Sequence, residues 1–314
     1  MAGDRVRAGR AVRGRAAARH RLARNWQLYV FLLPAVVYFA VFHYYPLYGL
    51  QIAFKNYIAA EGIWGSPWVG LTNFTRFFGS FYFWDLLRNT LVLNLLSLAL
   101  FPLPLIVALS LNEVRNGPFR RTVQTVLYAP YFISTVVLAG IVIAFLNPAT
   151  GVVNHLVTAL GGRPVDFMAE PVWFAPVYVL SGEWQNLGWG TIIYLAALAG
   201  VDPELLEAAR LDGATRLQRV RHVSLPGIMP TVVVLFVLAV GNLMAVGFEK
   251  VYLLQNPLNL ETSEVIQTYV YKAGLLGAQY SFSAAVGLFN TLVNLALLFA
   301  VNRAARQATG GGLW

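Results

Sequence analysis

The chain has 314 residues, of which 58% are apolar and only 12% charged, about half the charged share of an ordinary soluble domain. That apolar excess is too large for one buried soluble core and makes lipid the expected solvent. A net charge of +9 would suit nucleic acid as a partner. However, eight of the 23 Lys and Arg crowd into the first 25 residues, ahead of a hydrophobic run, which is the pattern of a cytoplasmic topology signal. No cysteine is present, which excludes disulfides, thiolate zinc sites and cysteine nucleophiles.

Residues 1–27 form the basic arm, and the apolar run Leu28–Tyr48 follows with 21 residues free of charge. It exceeds the roughly 7–15-residue core of a signal peptide and no small-x-small cleavage site follows closely, so it is expected to stay as a membrane span. A helix needs about 20 apolar residues to cross the hydrocarbon core. Five further runs meet that length: Thr90–Leu111, Thr122–Leu146, Val172–Ala199, Ile228–Phe248 and Ser281–Val301. With the N-terminus inside, the inside segments 1–27, 112–121, 200–227 and 302–314 hold 17 of the Lys and Arg. The outside segments 49–89, 147–171 and 249–280 hold six, so the positive-inside rule puts both termini in the cytoplasm. The expected fold is all-α and membrane-integral: six transmembrane helices across 28–302, N-in and C-in, with a short cytoplasmic tail from 303 to 314.

Between Trp64 and Trp84 the first outside segment is crowded with aromatic residues, the composition of short helices at a membrane interface. Glu261–Gly274 carries Val265, Ile266, Tyr269 and Val270 at amphipathic spacing. Both suit either an interfacial anchor or a rim that receives a partner. In the second span, Pro102 and Pro104 each remove a backbone donor and predict a bent helix whose freed carbonyls face protein or a cavity.

The 200–227 segment is too polar for lipid and too patterned for an idle loop. Asp202 is a good N-cap and Pro203 a good first helical residue, while Glu204 and Glu207 favour the helix N-terminus. The helix is expected to run to about Asp212 and stop at Gly213, with a second from Thr215 to His222. Leu225-Pro226 then turns the chain into the fifth span. Ala208 and Ala209 are small enough to let another protein's groove approach the backbone.

Here the sequence resembles the cytoplasmic loop of ABC importer permeases: Glu-Ala-Ala, three residues, Gly, nine residues, Ile, one residue, Leu-Pro. The chain supplies Glu207-Ala208-Ala209, Gly213, Val223 and Leu225-Pro226 at those spacings, with Val in place of Ile as the one departure. Leu32-Leu33-Pro34-Ala35, Gly70-Leu71-Thr72-Asn73-Phe74, Tyr128-Ala129-Pro130 and the run from Gly188 to Leu198 resemble sugar-type permeases. Asn256-Pro257-Leu258 and Ala278-Gln279-Tyr280-Ser281 are similar to the branch importing complex oligosaccharides, including uronic-acid chains. The resemblance implies a non-catalytic permease of the bacterial inner membrane, with Glu207–Gly213 as an ATPase-coupling helix. It further implies two ABC ATPase subunits holding ATP and Mg, a second and related permease in a heterodimer, and an extracytoplasmic solute-binding protein that delivers a saccharide. No cofactor or metal is expected in this chain itself.

Consistent with that, the sequence contains no Gly-x-x-x-x-Gly-Lys-Ser/Thr phosphate loop, no His-Glu-x-x-His zinc motif and no Gly-x-Ser-x-Gly nucleophile elbow. An ion-coupled secondary carrier is the rival class, but such carriers keep several ionisable residues within the membrane, and Glu183 is the only Asp, Glu, Lys or Arg in these six runs. Glu183 shares a helix face with Asn186, and Trp184 and Trp189 stand nearby. Carboxylate, amide and aromatic faces are what a sugar pathway requires; a structural hydrogen bond between spans, or a site near the outer interface, is the alternative for Glu183.

Overall fold

The computed structural model describes residues 25–309 together with 312 and 313. The first 24 residues of the basic arm, and residues 310, 311 and 314 of the tail, lie outside the described residues. The chain divides into two compact units, Met1–Trp68 and Val69–Trp314. Among the described residues every regular element is helical, with one isolated bridge between Lys55 and Trp68.

In the first unit, helix α1 (Trp26–Phe39) runs on through a π turn (Ala40–Tyr44) and a 3-10 stretch (Tyr45–Phe54). The whole is 29 residues long and apolar enough to cross a membrane. No side chain of Trp26–Phe39 is buried, as expected of a helix that is apolar all round and solvated by lipid. Beyond it, the short α2 (Gly62–Gly65) is folded back against the chain. The Lys55 ammonium donates to Ile63 O at 2.6 Å, and the Ser66 hydroxyl donates to Gly62 O at 2.6 Å while accepting from Ile58 N.

The second unit begins with α3 (Thr72–Phe78), whose Phe77 is buried against Leu86, Phe282 and Val286. Helices α4 (Phe83–Ala99) and α5 (Pro102–Glu113) form one apolar span, Phe83–Glu113. At the join, Leu100 N bonds Ser97 O and Phe101 N bonds Leu98 O, the tighter 3-10 pattern that precedes the two prolines. The expected straight span Thr122–Leu146 is instead broken. Helix α6 (Pro118–Tyr128) and a 3-10 turn (Ala129–Phe132) meet α7 (Thr135–Leu146) at 102°. Pro130 lacks a donor, Ile133 is extended, and Ser134 starts a new helix by accepting from Val137 N at 3.3 Å.

After α8 (Val152–Ala159) comes α9 (Pro171–Leu198), 28 residues long. Its Phe174 enters one core cluster with Leu93, Val251 and Val265, and its Tyr194 and Leu198 enter another with Ala108 and Ile228. Glycines let α9 pack tightly: a Cβ on Gly188 would lie 2.2 Å from Leu127 O, and one on Gly190 would lie 2.9 Å from Pro104 Cβ. Next are α10 (Pro203–Leu211), α11 (Arg216–Arg219) and α12 (Leu225–Gly241). A π turn over Val220–Ser224 fuses the last two into one apolar helix, Arg216–Gly241. The expected turn at Leu225-Pro226 and the expected span Ile228–Phe248 are thereby corrected. Leu225 N bonds Val220 O in the wider π register, so the helix passes Pro226 without stopping, and it ends at Gly241.

The remainder comprises α13 (Phe248–Leu254), α14 (Leu260–Ser263), α15 (Ile266–Tyr271) and the long α16 (Tyr280–Thr309). In the expected amphipathic stretch, Val265 and Ile266 are buried in the core, and Glu264 pairs with Lys272 at 2.6 Å. Among the described residues four helices are long and apolar enough to cross a membrane, and the bent pair adds a fifth where it is taken as one span. Helix α9 has the length of a span, but its glycines and polar residues keep it outside that set.

Candidate functional site

The hairpin of α10 and α11 is built by local rules. The Asp202 carboxylate accepts from Glu204 N at 2.9 Å, Pro203 opens the helix, and Gly213 takes the left-handed backbone (φ 78°) that reverses the chain. Thr215 and Gln218 then form a reciprocal capping box. Glu207 and Ala208 are exposed, Ala209 is half-buried, and Gly213 sits at the tip. Leu225 and Pro226 lie on the helix that follows, Leu225 half-buried and Pro226 exposed. Sequence reasoning missed the apolar side chains that surround these positions: Leu211 is 89% exposed and Leu217 76%.

Sequence reasoning also missed Arg219. Its guanidinium pairs with Glu113, at the end of α5, at 2.6 Å, and donates to Ala214 O beside the hairpin tip at 3.0 Å. The pair keeps only 12% and 14% exposure. It ties the hairpin to the Phe83–Glu113 span, whose Pro104 packs on Gly190 of α9.

Helix α9 borders two cavities that share Ser97, Glu183 and Asn186. One, of about 470 Å³, is lined further by Trp189 and by apolar residues of α5 and α12. The other, of about 650 Å³, is more polar and reaches α13 and the broken backbone at Ile133–Thr135. Gln185 donates to Ile133 O at 2.7 Å, satisfying a carbonyl that the break releases. Irregular backbone at membrane depth is tolerated where it lines such a cavity. Glu183 Oε1 is buried with no hydrogen-bond partner, and Asn186 Nδ2 donates to Gly182 O at 2.8 Å. Trp189 stacks on Tyr131 with centroids 4.8 Å apart and planes within 7°. The structure thus brings Glu183, Asn186 and Trp189 together. Trp184 faces the other way, onto an apolar cleft with Phe167 and Trp173.

The polar cavity also holds a cation that the sequence placed in an outside loop. Lys250, on α13, is 8% exposed, and its ammonium donates to Tyr178 O at 2.5 Å. Burial pushes its pKa down to about 8. No group of three or more His, Cys, Asp or Glu that could hold a metal ion occurs among the described residues.

Residues 100–307 match the family described as binding-protein-dependent transport system inner membrane component. The chain belongs to that family and is therefore an inner-membrane transport component. The polygalacturonan/rhamnogalacturonan transport system permease protein YteP of Bacillus subtilis (strain 168) is 44% identical, over 94% of this chain and 92% of the relative. The arabinooligosaccharides transport system permease protein AraP of the same organism is 32% identical over 85% of this chain and 84% of its own length. Among solved structures, a bacterial alginate ABC transporter in complex with alginate pentasaccharide-bound periplasmic protein contains a chain that superposes with a TM-score of 0.86. That chain is 42% identical, and the match covers 94% of this chain and 99% of the other.

Proposed function

We propose that this chain is the permease subunit of an ATP-driven ABC importer for an acidic oligosaccharide, delivered by an extracytoplasmic solute-binding protein. The observation that carries this reading is the likeness, along nearly the whole chain, to a transporter crystallised with an alginate-loaded periplasmic protein. A permease for polygalacturonan and rhamnogalacturonan, at 44% identity, points to the same class of charged sugar chains.

In this reading the chain crosses the inner membrane six times with both termini in the cytoplasm, α9 serving as the fourth span. The 1–27 arm and the 303–314 tail flank the membrane domain, and 200–227 forms the coupling loop. The chain has no catalytic site of its own. Two ATPase subunits bind ATP and Mg, and one of them receives the hairpin through Glu207, Ala208, Ala209 and the turn at Gly213. A second, related permease completes a heterodimer. ATPase closure pushes the hairpin, and the fused Arg216–Gly241 helix carries that push from its Arg216 end past Leu225-Pro226 into the membrane. The cavity along α9 then changes its access from outside to inside. Glu183 and Asn186 offer hydrogen bonds to sugar hydroxyls, and Trp189 offers a flat face to sugar rings, with Trp184 at the helix's outer side.

The test is reconstitution of this chain with its partner permease, ATPases and binding protein in proteoliposomes. Uptake of trigalacturonate that requires both ATP and binding protein is the expected result. Uptake driven by an ion gradient without ATP rejects the reading.

A further inference from the structure

Lys250 is a buried cation without a counter-charge. None of the three ion pairs among the described residues includes it, and its one hydrogen-bond acceptor is Tyr178 O. An ammonium has three donors, so two are left without a protein acceptor. The side chain is nevertheless held in place. Its nitrogen lies 4.6 Å from the Tyr178 ring centroid, and the Tyr178 hydroxyl accepts from Gly247 N, next to the start of α13. Gly182 supplies the room: a Cβ there would fall 2.7 Å from the Lys250 nitrogen. A cation fixed at the wall of a polar cavity, with donors to spare, awaits an anion. At neutral pH a lysine with a pKa of about 8 still carries its charge.

The other charged groups lining the cavity are Glu183 and Glu249, neither within ion-pair distance of Lys250. We propose that this cavity binds the carboxylate of a uronate unit, with Lys250 as the residue that reads its charge. A uronate carries one carboxylate and several hydroxyls. Lys250 donates to the former; Glu183, whose Oε1 has no partner, and Asn186 serve the latter. The arrangement selects an acidic sugar over a neutral one, because a neutral sugar leaves the ammonium buried without compensation. The inference rests on the acidic-oligosaccharide reading above and adds the residue that enforces it.

The experiment uses the complete reconstituted complex with trigalacturonate as the probe. Lys250→Met is expected to lower uptake by about tenfold or more, the loss typical of an unpaired buried charge contact. Co-purification of the partner subunits reports assembly. Because the chain has no cysteine, Lys250→Cys gives one addressable thiol in it. Treatment with 2-bromoethylamine rebuilds an ammonium at that place and should restore uptake to within about threefold of the untreated wild type, whereas a neutral methylthiol cap should not. The wild-type complex treated with each reagent controls for thiols on the other subunits. Uptake by Lys250→Met within about twofold of wild type would overturn the proposal. Equal rescue by the charged and neutral caps would overturn it too, as would lost assembly that the rebuilt ammonium does not repair. If the wild-type complex imports galactotriose but no trigalacturonate, the acidic-oligosaccharide reading itself fails.

Discussion

The hairpin Pro203–Arg219 and the wall of the polar cavity are held in shape by bonds of different reach. In the hairpin, Asp202 caps a residue two positions on, and Thr215 and Gln218 cap each other three apart. In the cavity wall, Gln185 reaches back 52 residues to Ile133, and Lys250 reaches 72 to Tyr178. An element bonded to itself keeps its shape when its neighbours move. One assembled across the sequence changes whenever its helices slide. Under the proposed coupling, the hairpin carries a push as a rigid piece and the cavity changes form in response. The Arg219–Glu113 pair joins the two, since it fastens the hairpin to the helix that packs on α9.

The largest effect is expected where the hairpin's local shape is broken. Gly213 needs φ 78°, and Gly213→Pro denies it by fixing φ near −65°. Ala209→Trp keeps the backbone but fills the approach to a partner's groove. Both variants should lower binding-protein-stimulated ATP hydrolysis by about tenfold or more, within the usual range of coupling energies. Membrane fractionation checks that insertion survives. Full stimulated hydrolysis in both would mean that the push travels by another route.

A smaller loss is expected at the junction between the two regions. Removing one partner of a buried ion pair costs about 3 kcal/mol or more. Arg219→Met should therefore lower the unfolding temperature of the purified complex and raise the ATP spent per sugar imported. Exchanging the charges, with Arg219→Glu and Glu113→Arg together, should recover part of both losses. Double-variant losses that simply add would show that the two side chains do not act as a pair.

The difference in reach also explains what the sequence disclosed. Asp202, Pro203, Gly213 and Thr215 each act within a few positions, so the boundaries of α10 and the start of α11 were legible from residue types alone. The interruption of the α-helix at Leu100–Phe101, just before Pro102, was legible for the same reason. The fusion of α11 with α12 was not, because Leu225-Pro226 reads as a stop while the π turn before it lets the helix continue. The 102° break also escaped notice: Thr122–Leu146 is uniformly apolar, and the partner that satisfies its freed carbonyl, Gln185, lies on another helix. Lys250 looked like one more loop cation. Its burial depends on Gly182 and Tyr178, which no local pattern connects to it. Glu183 and Asn186 were found because a carboxylate in an apolar run is conspicuous. Helical spacing then paired them, though it did not reveal that Trp184 turns away.

The smallest effects are expected at Glu183 and Asn186, where single hydrogen bonds to a sugar are at stake. A net hydrogen bond is worth about 0.5–1.5 kcal/mol, or roughly two- to twelvefold in affinity. Glu183 Oε1 is buried and unpartnered, so an incoming hydroxyl that donates to it gains a bond without breaking one. Glu183→Ala removes that acceptor and should cut trigalacturonate uptake by about fivefold, within the range for one such bond. Glu183→Gln keeps an acceptor oxygen of the same shape, so its loss should stay near twofold if hydrogen bonding, rather than charge, is what the site uses. Asn186 already commits one Nδ2 hydrogen to Gly182 O, which leaves its second N–H and its carbonyl oxygen for a sugar hydroxyl, and Asn186→Ala should cost about twofold. The order of the three variants is the discriminating measurement. If Glu183→Gln falls as far as Glu183→Ala, the carboxylate's charge matters, and Glu183 then acts in the cavity through that charge rather than as an acceptor for hydroxyls. Normal uptake by all three would take α9 out of the sugar's path and leave Glu183 with a role only in packing.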